Sequence, residues 1–256
     1  MSRGDPDSLR ALLAREGFIA ADEEAQELLA YAGGDEAILD AAVQRRLTGE
    51  PLAWITGRAT FCGLDIHVDP DVYVPRWLTE PLAQRAVDRL PEDGTAIDLC
   101  TGSGAIAAVL HKRRPHARIV ATDVDPRAIA CAIGNGVDAY LGDLFAPLPA
   151  GLEGKVDLVV GVVPYVPTAE LPLLQRDTFT FERALSYDGG VDGAEILRRV
   201  LVESPRFLKR GGAILLEVGG DQADLLDGDL KRLGFVDVRV LTDEDGDVRG
   251  IEATLG

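Results

Sequence analysis

The sequence predicts a doubly wound α/β domain whose mostly parallel sheet ends in an antiparallel hairpin. From Thr95 onward, short apolar segments rich in β-branched residues alternate with segments of helical periodicity. A glycine-rich turn separates the first strand from the first helix, and the last strand segments are joined only through an acidic Asp-Gly turn. Five predicted strands read TAIDL, ARIVATD, VDAYLGD, VDLVVG and GGAILLEVG, and FVDVRVLTDEDGDVRGIEATL supplies two more, which makes a seven-stranded sheet.

The chain before this sheet divides into a small helical domain and a connector. Residues 1–54 contain three segments with apolar residues spaced three and four positions apart, and glycines follow each segment. Residues 55–76 combine aromatic and β-branched residues with a central Gly63, which predicts a β-hairpin. Residues 77–256 form the main domain, and Thr79 is the predicted N-cap of its first helix.

Composition and charge argue against nucleic acid and membranes as binding partners. The 256 residues include 43 acids and 26 bases, giving a net charge of −17, and a field of that sign repels phosphate backbones. No apolar run approaches the roughly 20 residues of a membrane span, and the polar stretch MSRGDPDSLR lacks a signal-peptide core. We therefore expect a cytoplasmic protein with neither nucleic acid nor membrane as partner, and the oligomeric state stays open.

Cysteines and histidines predict neither a metal centre nor a catalytic base. Cys62, Cys100 and Cys131 are too few and too scattered for a disulfide framework or a zinc site. Two histidines flank a predicted helix end, and His67 falls on the exposed face of the predicted hairpin. No metal ligand is therefore predicted.

A glycine-rich loop after the first strand indicates a nucleotide-type ligand. Residues 102–107, GSGAIA, match the G-x-G-x-x-[GA] pattern between a predicted strand and helix. Glycines there permit a tight turn and a close approach of the backbone to a ligand. Asp123 ends the next strand about 20 residues further on, where a carboxylate can bind a ribose diol. A glycine-rich turn of this kind can also bind nothing, and the acid at the end of the next strand strengthens the indication of a ligand.

Acidic residues at the strand ends favour a cationic cofactor over a dinucleotide. Asp98 ends the strand that enters the glycine loop, close to where a pyrophosphate would sit. S-adenosylmethionine has a ribose but no phosphate, and it carries an ammonium group and a sulfonium, so it suits this environment. Asp143 follows another strand and can accept the adenine amino group while Leu144 covers the ring. Alternatively, Asp143 caps the turn that follows it.

The order of the motifs resembles one methyltransferase group. DLCTGSGAIA, ATDVDP, GDLFAPL, VDLVV-x-x-x-PY-x-P, LSYDGGVDGAEILRR and LKRGGAILLEVG are similar to the HemK/PrmC S-adenosylmethionine-dependent methyltransferases, and the similarity covers nearly the whole chain. Those enzymes methylate the side-chain amide nitrogen of a glutamine in class I peptide-release factors. The resemblance implies a Rossmann-like class I methyltransferase fold with a small N-terminal helical domain. The predicted cofactor-binding residues are Asp98, Thr101, Gly102, Ser103, Gly104, Ile106, Asp123, Val124, Gly142, Asp143, Leu144 and Val162.

The acceptor side departs from the family pattern. The family carries Asn-Pro-Pro-Tyr where this chain has Val162, Val163, Pro164 and Tyr165. In the family, the Asn side chain and the next carbonyl accept hydrogen bonds from the target amide. Val162 has no acceptor, so a glutamine amide bound there would lose about 1–3 kcal/mol. The family's Pro-Arg-Pro-Glu-Thr-Glu loop also becomes Pro-Arg-Trp-Leu-Thr-Glu at residues 75–80, which makes the approach more apolar.

These differences predict an acceptor other than release-factor glutamine, such as a small natural-product intermediate. The predicted substrate-binding residues are Arg76, Trp77, Val163, Pro164, Tyr165 and Glu182, and the predicted catalytic residues are Tyr165, Glu182 and Val162. Tyr165 could instead be an interface tyrosine with a hydrogen-bonded hydroxyl, and Glu182 a solvated surface acid. Alternative functions are ring closure by cyclopropanation with a radical-enzyme partner, methylation of release factor itself, and a catalytically silent cofactor-binding scaffold. DNA adenine methylation shares the Pro-Tyr tip but conflicts with the net charge.

Overall fold

The computed structural model describes residues 5–174 and 180–256. Its N-terminal part is a helical bundle of α1 (Pro6–Arg15), α2 (Ala21–Ala32), α3 (Glu36–Leu47) and α4 (Leu52–Thr56). Asp5 caps α1 by accepting the Ser8 amide, and Asp35 caps α3. A separate core holds the bundle together, with Leu9, Leu13, Leu28, Val43 and Ile55 among its buried members.

The connector contains the predicted hairpin, in which β1 (Arg58–Phe61) pairs antiparallel with β2 (Leu64–His67). The hairpin begins later than predicted, because Ile55 and Thr56 belong to α4. Burial explains this difference: the Trp54 indole packs inward and donates a hydrogen bond to the Val72 carbonyl at 2.9 Å. Thr79 ends a 3₁₀ turn (Trp77–Thr79) before α5 (Glu80–Arg89), but its side chain does not cap the helix.

The main domain confirms the predicted seven-stranded sheet. Its chain order is β3 (Thr95–Leu99), α6 (Ala105–Arg113), β4 (Arg118–Asp123), α7 (Pro126–Gly134), β5 (Ala139–Leu141), β6 (Val156–Gly161), α8 (Glu195–Phe207), β7 (Leu208–Glu217), α9 (Gln222–Arg232), β8 (Phe235–Thr242) and β9 (Val248–Leu255). The spatial order is β5-β4-β3-β6-β7-β9-β8. Strands β3, β4, β5, β6 and β7 are parallel to one another, and β9 pairs antiparallel with both β7 and β8. The carboxyl ends of β3, β4, β5 and β6 therefore meet at one edge, where ligands bind in open α/β sheets.

Alternating side chains bury both faces of the sheet. Ala96, Leu158 and Val160 face a core shared with α5 and α6, whereas Ile97 and Val159 face a core shared with α8 and α9. Strands covered on both faces read as continuous apolar runs, which explains the composition of VDLVVG. Within residues 5–174 and 180–256, no helix combines the length and apolarity needed to cross a membrane.

Strand β8 forms one edge of the sheet and is irregular. Its pairing with β9 shifts register between Val236 and Arg239, and Asp237 has a left-handed φ of 52°. Val236, Val238 and Val240 are exposed along this strand.

Candidate functional site

A cavity opens at the edge where β3, β4, β5 and β6 end. The connector forms one side of its wall, and Leu185, Ser186 and Asp188 of the segment after β6 form another. Many of the residues predicted from sequence lie on this wall: Arg76, Asp98, Thr101, Gly102, Ser103, Ile106, Asp123, Val124, Gly142, Asp143, Leu144, Val162 and Pro164.

Asp98 is a buried carboxyl group at the base of the cavity. It accepts hydrogen bonds from the Thr101 hydroxyl at 2.6 Å and from the Ala107 amide at 3.2 Å. Burial raises its pKa to about 7, the two hydrogen bonds oppose that rise, and the nearby Asp123 charge adds to it. Asp98 therefore changes charge within the physiological pH range.

Asp123 ties the glycine loop to the end of β4. One carboxylate oxygen accepts the Gly102 amide at 2.9 Å, and the other accepts the Asp125 amide at 2.9 Å. Burial raises the pKa of Asp123, and the backbone hydrogen bonds oppose the rise. The carboxylate keeps further lone pairs for a ligand that enters the cavity.

Gly104 does not line the cavity but fixes the loop from below. Its φ is +82°, and a Cβ there would lie 2.9 Å from Val137 Cγ2 and 3.0 Å from Ala132 Cβ. Both neighbours are buried in the core. Glycine is therefore required for conformation and for packing.

Gly104→Ala is expected to destabilise the protein by about 2 kcal/mol, because alanine is disfavoured at positive φ and its methyl group overlaps the core. Chemical denaturation measures this change. Gly134→Ala is the matched control, since nothing lies within 4 Å of a Cβ at that helical position; it should be neutral or stabilising by up to about 1 kcal/mol. Equal stabilities for the two variants would contradict the packing argument.

Asp143 lies at the end of the cavity formed by β5 and pairs with a residue that the sequence did not single out. Arg199 Nη2 on α8 lies 2.6 Å from Asp143 Oδ2, and both side chains are about half exposed. Arg199 also lines the cavity. Its position 56 residues away, on a different helix, gives no local signal in the sequence.

The β6 tip divides its side chains between the cavity and the core. Val162 and Pro164 line the cavity, whereas Val163 is only 1% exposed and packs into the core. The Tyr165 hydroxyl donates to Glu217 Oε1 at 2.9 Å, and its ring is not part of the wall. The structure therefore does not bring the side chains of Val163 and Tyr165 to the acceptor side, where they were predicted.

Glu217 is a buried acid that sequence patterns did not reveal. In addition to the Tyr165 hydroxyl, it accepts the Thr79 hydroxyl at 2.6 Å, which is why Thr79 does not cap α5. Burial raises the pKa of Glu217, and these two hydrogen bonds oppose the rise. Glu217 thus links the 3₁₀ turn before α5 to the β6 tip.

Glu182 lies beneath the wall rather than on it. Its side chain is 1% exposed and accepts hydrogen bonds from the Val74 amide at 2.8 Å, from Arg76 and from the Tyr187 hydroxyl. It therefore holds Arg76 in place and does not face an acceptor as the predicted acid or base. Trp77, predicted to stack on the acceptor, is 75% exposed and lies outside the wall.

The charges on the wall fit a cationic ligand. Acidic residues are Asp71, Asp98, Asp123, Asp125, Asp143 and Asp188, whereas the basic residues are Arg76 and Arg199. Both arginines are paired with carboxylates, Arg76 with Glu182 and Arg199 with Asp143. The wall carries six carboxyl groups and two guanidinium groups, so its field disfavours a dinucleotide pyrophosphate and attracts the sulfonium and ammonium of S-adenosylmethionine.

Similarity to known proteins also indicates a methyltransferase. Residues 76–144 match the family described as methyltransferase small domain. A release factor glutamine methyltransferase of Geobacter sulfurreducens is 37% identical over 220 residues, which cover 84% of this chain and 76% of that protein. The release factor glutamine methyltransferase of Cereibacter sphaeroides is 32% identical over 277 aligned positions, covering 97% of this chain and 98% of that protein.

Solved structures share the fold. A methyltransferase from Pyrococcus furiosus superposes with a TM-score of 0.57 at 19% identity, covering 83% of this chain and 97% of that one. A 16S rRNA N2 G1207 methyltransferase from T. thermophilus, solved with AdoMet and guanosine, gives a TM-score of 0.51 at 18% identity, covering 77% and 44%.

Three observations indicate methyl transfer: the sheet topology, the acidic cavity and the extended sequence identity. The fold is that of a class I methyltransferase, and the enzyme uses S-adenosylmethionine. From the identity to curated relatives over most of its length, we conclude that this chain belongs to the HemK/PrmC-like family of release factor glutamine methyltransferases.

Proposed function

We propose that this chain methylates an acceptor other than release-factor glutamine, such as a small natural-product intermediate. The observation that supports this is Val162, which occupies the β6 tip on the cavity wall and offers no hydrogen-bond acceptor. Phe61, Val72 and Pro164 add further apolar surface to the wall. An apolar acceptor would gain from this surface, whereas a carboxamide would leave polar groups unpaired.

In this proposal the cofactor lies across the strand ends. Asp98 binds its ammonium group, Asp123 its ribose hydroxyls, and Asp143 the adenine amino group beside Leu144. The loop from Thr101 to Ser103 approaches the methionine portion, and Ile106, Val124 and Gly142 complete the wall. When bound, S-adenosylmethionine supplies an electrophilic methyl group on a sulfonium sulfur.

The acceptor side is formed by the connector and the β6 tip. Val162 and Pro164 exclude water there, and Arg76 is fixed by Glu182 with its guanidinium 5.3 Å from the centre of the Tyr73 ring. These groups orient an acceptor for in-line approach, which is the main contribution that a methyltransferase makes to such a displacement. Tyr165, Val163 and Trp77 act indirectly, by packing or at the rim.

Release-factor glutamine is the second candidate acceptor. Curated relatives that carry this name are 37% and 32% identical to the chain over most of its length. If glutamine is the acceptor, its amide binds without a side-chain partner at position 162, and transfer should be slow by the free energy of one lost hydrogen bond.

A gain-of-function substitution separates the two candidates. Val162→Asn is expected to raise methylation of a purified class I release factor roughly 10- to 100-fold over a parent rate near background, since one acceptor is restored. Transfer of labelled methyl from S-adenosylmethionine is the readout. Val202→Asn is the matched control, because it makes the same exchange on the exposed face of α8, outside the cavity wall, and should leave the rate at background. A parent rate equal to that of the Geobacter relative, assayed in parallel, would overturn the proposal.

Cofactor affinity should depend on pH through Asp98. With a pKa of about 7, the carboxyl group is mostly neutral at pH 6 and mostly ionised at pH 7.5, so affinity for the cofactor ammonium should rise about 8-fold over that interval. Calorimetry measures this, and Asp98→Asn should bind weakly with a flat profile. The pH dependence of folding stability has the opposite sign to that of cofactor affinity. Because the pKa of Asp98 in the folded protein lies above its unfolded value, the contribution of Asp98 to the free energy of unfolding falls as pH rises towards 7. A parent affinity that does not change with pH would contradict the assigned role.

A further inference from the structure

Three metal-ligating side chains converge behind the glycine loop, away from the cavity wall. His67 ends β2, Asp69 follows it in the connector, and Cys131 lies on α7. One potential ligand atom from each lies within 4.8 Å of the other two. Cys131 is buried, whereas His67 is exposed and Asp69 is partly exposed. The folded chain thus brings Cys131 next to a residue of the connector that lies 64 positions earlier in the sequence.

The histidine is oriented like a metal ligand. His67 Nδ1 lies 2.9 Å from the Gly57 carbonyl oxygen, which can only accept, so Nδ1 carries a proton. His67 Nε2 lies 2.9 Å from Asp69 Oδ1. The Nε2 and Oδ1 atoms therefore face one another closely enough that both could bind one cation after a small separation. Metal-bound histidines usually donate their other ring N–H to a carbonyl or carboxylate in this way.

We propose that His67 Nε2, an Asp69 carboxylate oxygen and Cys131 Sγ bind a divalent zinc-type cation, with water as the fourth ligand. Nitrogen, oxygen and sulfur donors at about 2.0–2.3 Å are the ligands of tetrahedral zinc, and their mutual separations are then about 3.3–3.8 Å. His67 Nε2 and Asp69 Oδ1 lie 2.9 Å apart, and all three ligand atoms lie within 4.8 Å of one another, so small movements of the two more exposed side chains complete the geometry.

The charge balance favours this cation. Neutral histidine, one carboxylate and one thiolate neutralise a divalent metal. Cys131 donates to the His67 carbonyl oxygen at 3.3 Å; on binding, that proton passes to solvent and the hydrogen bond is exchanged for the metal–sulfur bond. The nearby Arg127 is paired with Asp71 at 3.2 Å rather than with Asp69.

The site would join the connector to α7 next to the cofactor loop. Asn135, just after α7, already bridges these parts, because its Nδ2 donates to the His67 and Ser103 carbonyl oxygens at 2.8 Å each. A metal held by His67, Asp69 and Cys131 would reinforce the same junction between the connector and α7. Binding should therefore stabilise the fold independently of which acceptor is methylated.

The test uses the full-length, tag-free chain after dialysis against a chelator. One equivalent of zinc should bind, detected by elemental analysis after gel filtration, and should raise the melting temperature. Cobalt in its place should give a sulfur-to-cobalt charge-transfer band in the near ultraviolet. Cys131→Ser should lose that band, and His67→Gln and Asp69→Asn, at more exposed positions, should lose stoichiometric binding.

Cys62→Ser is the matched control, since Cys62 is a free cysteine outside the cluster, and it should retain both the band and the binding. Identical zinc stoichiometry in the parent and in the His67 and Cys131 variants would overturn the proposal. So would a parent protein that binds no zinc, because His67 and Asp69 would then interact only with each other.

Discussion

Asp123→Ala should weaken S-adenosylmethionine binding at least about 100-fold. Two effects combine: the carboxylate that is proposed to bind the ribose diol is lost, and the Gly102 and Asp125 amides lose the partner that shapes the loop. Hydrogen bonds to a charged group contribute about 1.5–3 kcal/mol each, so the loss of two accounts for this factor. Titration calorimetry at pH 7.5 measures the affinity.

Asp138→Asn controls for the change in net charge, because Asp138 is an exposed acid just before β5 whose carboxylate accepts the Tyr140 hydroxyl. That variant should bind the cofactor as the parent does. An Asp123→Ala affinity within about threefold of the parent, in a variant that melts cooperatively, would place the ribose elsewhere.

Glu182→Ala should lower the free energy of unfolding by about 3–5 kcal/mol. The substitution leaves Arg76, the Tyr187 hydroxyl and the Val74 amide without the carboxylate that they share, and breaking a buried ion pair from one side costs about this much. In a protein of this size, the melting temperature should fall by roughly 2–4 °C per kcal/mol.

Two further variants serve as controls for the stability loss of Glu182→Ala. Glu182→Gln keeps an acceptor but removes the charge, so its stability should fall between those of the parent and the alanine variant. Glu153→Ala breaks an exposed ion pair with Arg206, in which the Glu153 side chain is 42% exposed and the Arg206 side chain 71%, and it should leave the melting temperature almost unchanged. If Glu182→Ala and Glu153→Ala lowered the melting temperature equally, Glu182 would not hold Arg76 in place.

The fold was predictable because its signals are local. Buried parallel strands carry continuous apolar runs, helices carry spacings of three and four, and the Asp125-Pro126 pair marks the start of α7, where the Asp125 side chain does accept the Arg127 amide. The α4 helix escaped prediction because its five residues are too few to show periodicity, and β-branched residues at its end imitate a strand.

The candidate site was predictable only where topology places strand ends together. That rule accounts for Asp98, Asp123, Asp143 and Val162, because each follows or ends a parallel strand. Glu182 and Glu217 meet their partners across more than 100 residues of chain, Glu182 at Val74 and Glu217 at Thr79. Periodicity carries no information on such pairs, so the inward orientation of Glu182 could only be found in the folded structure.

The kink in β8 bears on how this protein behaves when crowded. A straight outer strand bearing Val236, Val238 and Val240 would invite a neighbouring molecule to continue the sheet. The left-handed residue Asp237 interrupts the row of amides and carbonyls that such an intruder needs, and Arg239 adds a second charge within the same stretch. A β-branched residue at position 237 disfavours the left-handed conformation there. The resulting regular edge strand should pair with other molecules and promote aggregation.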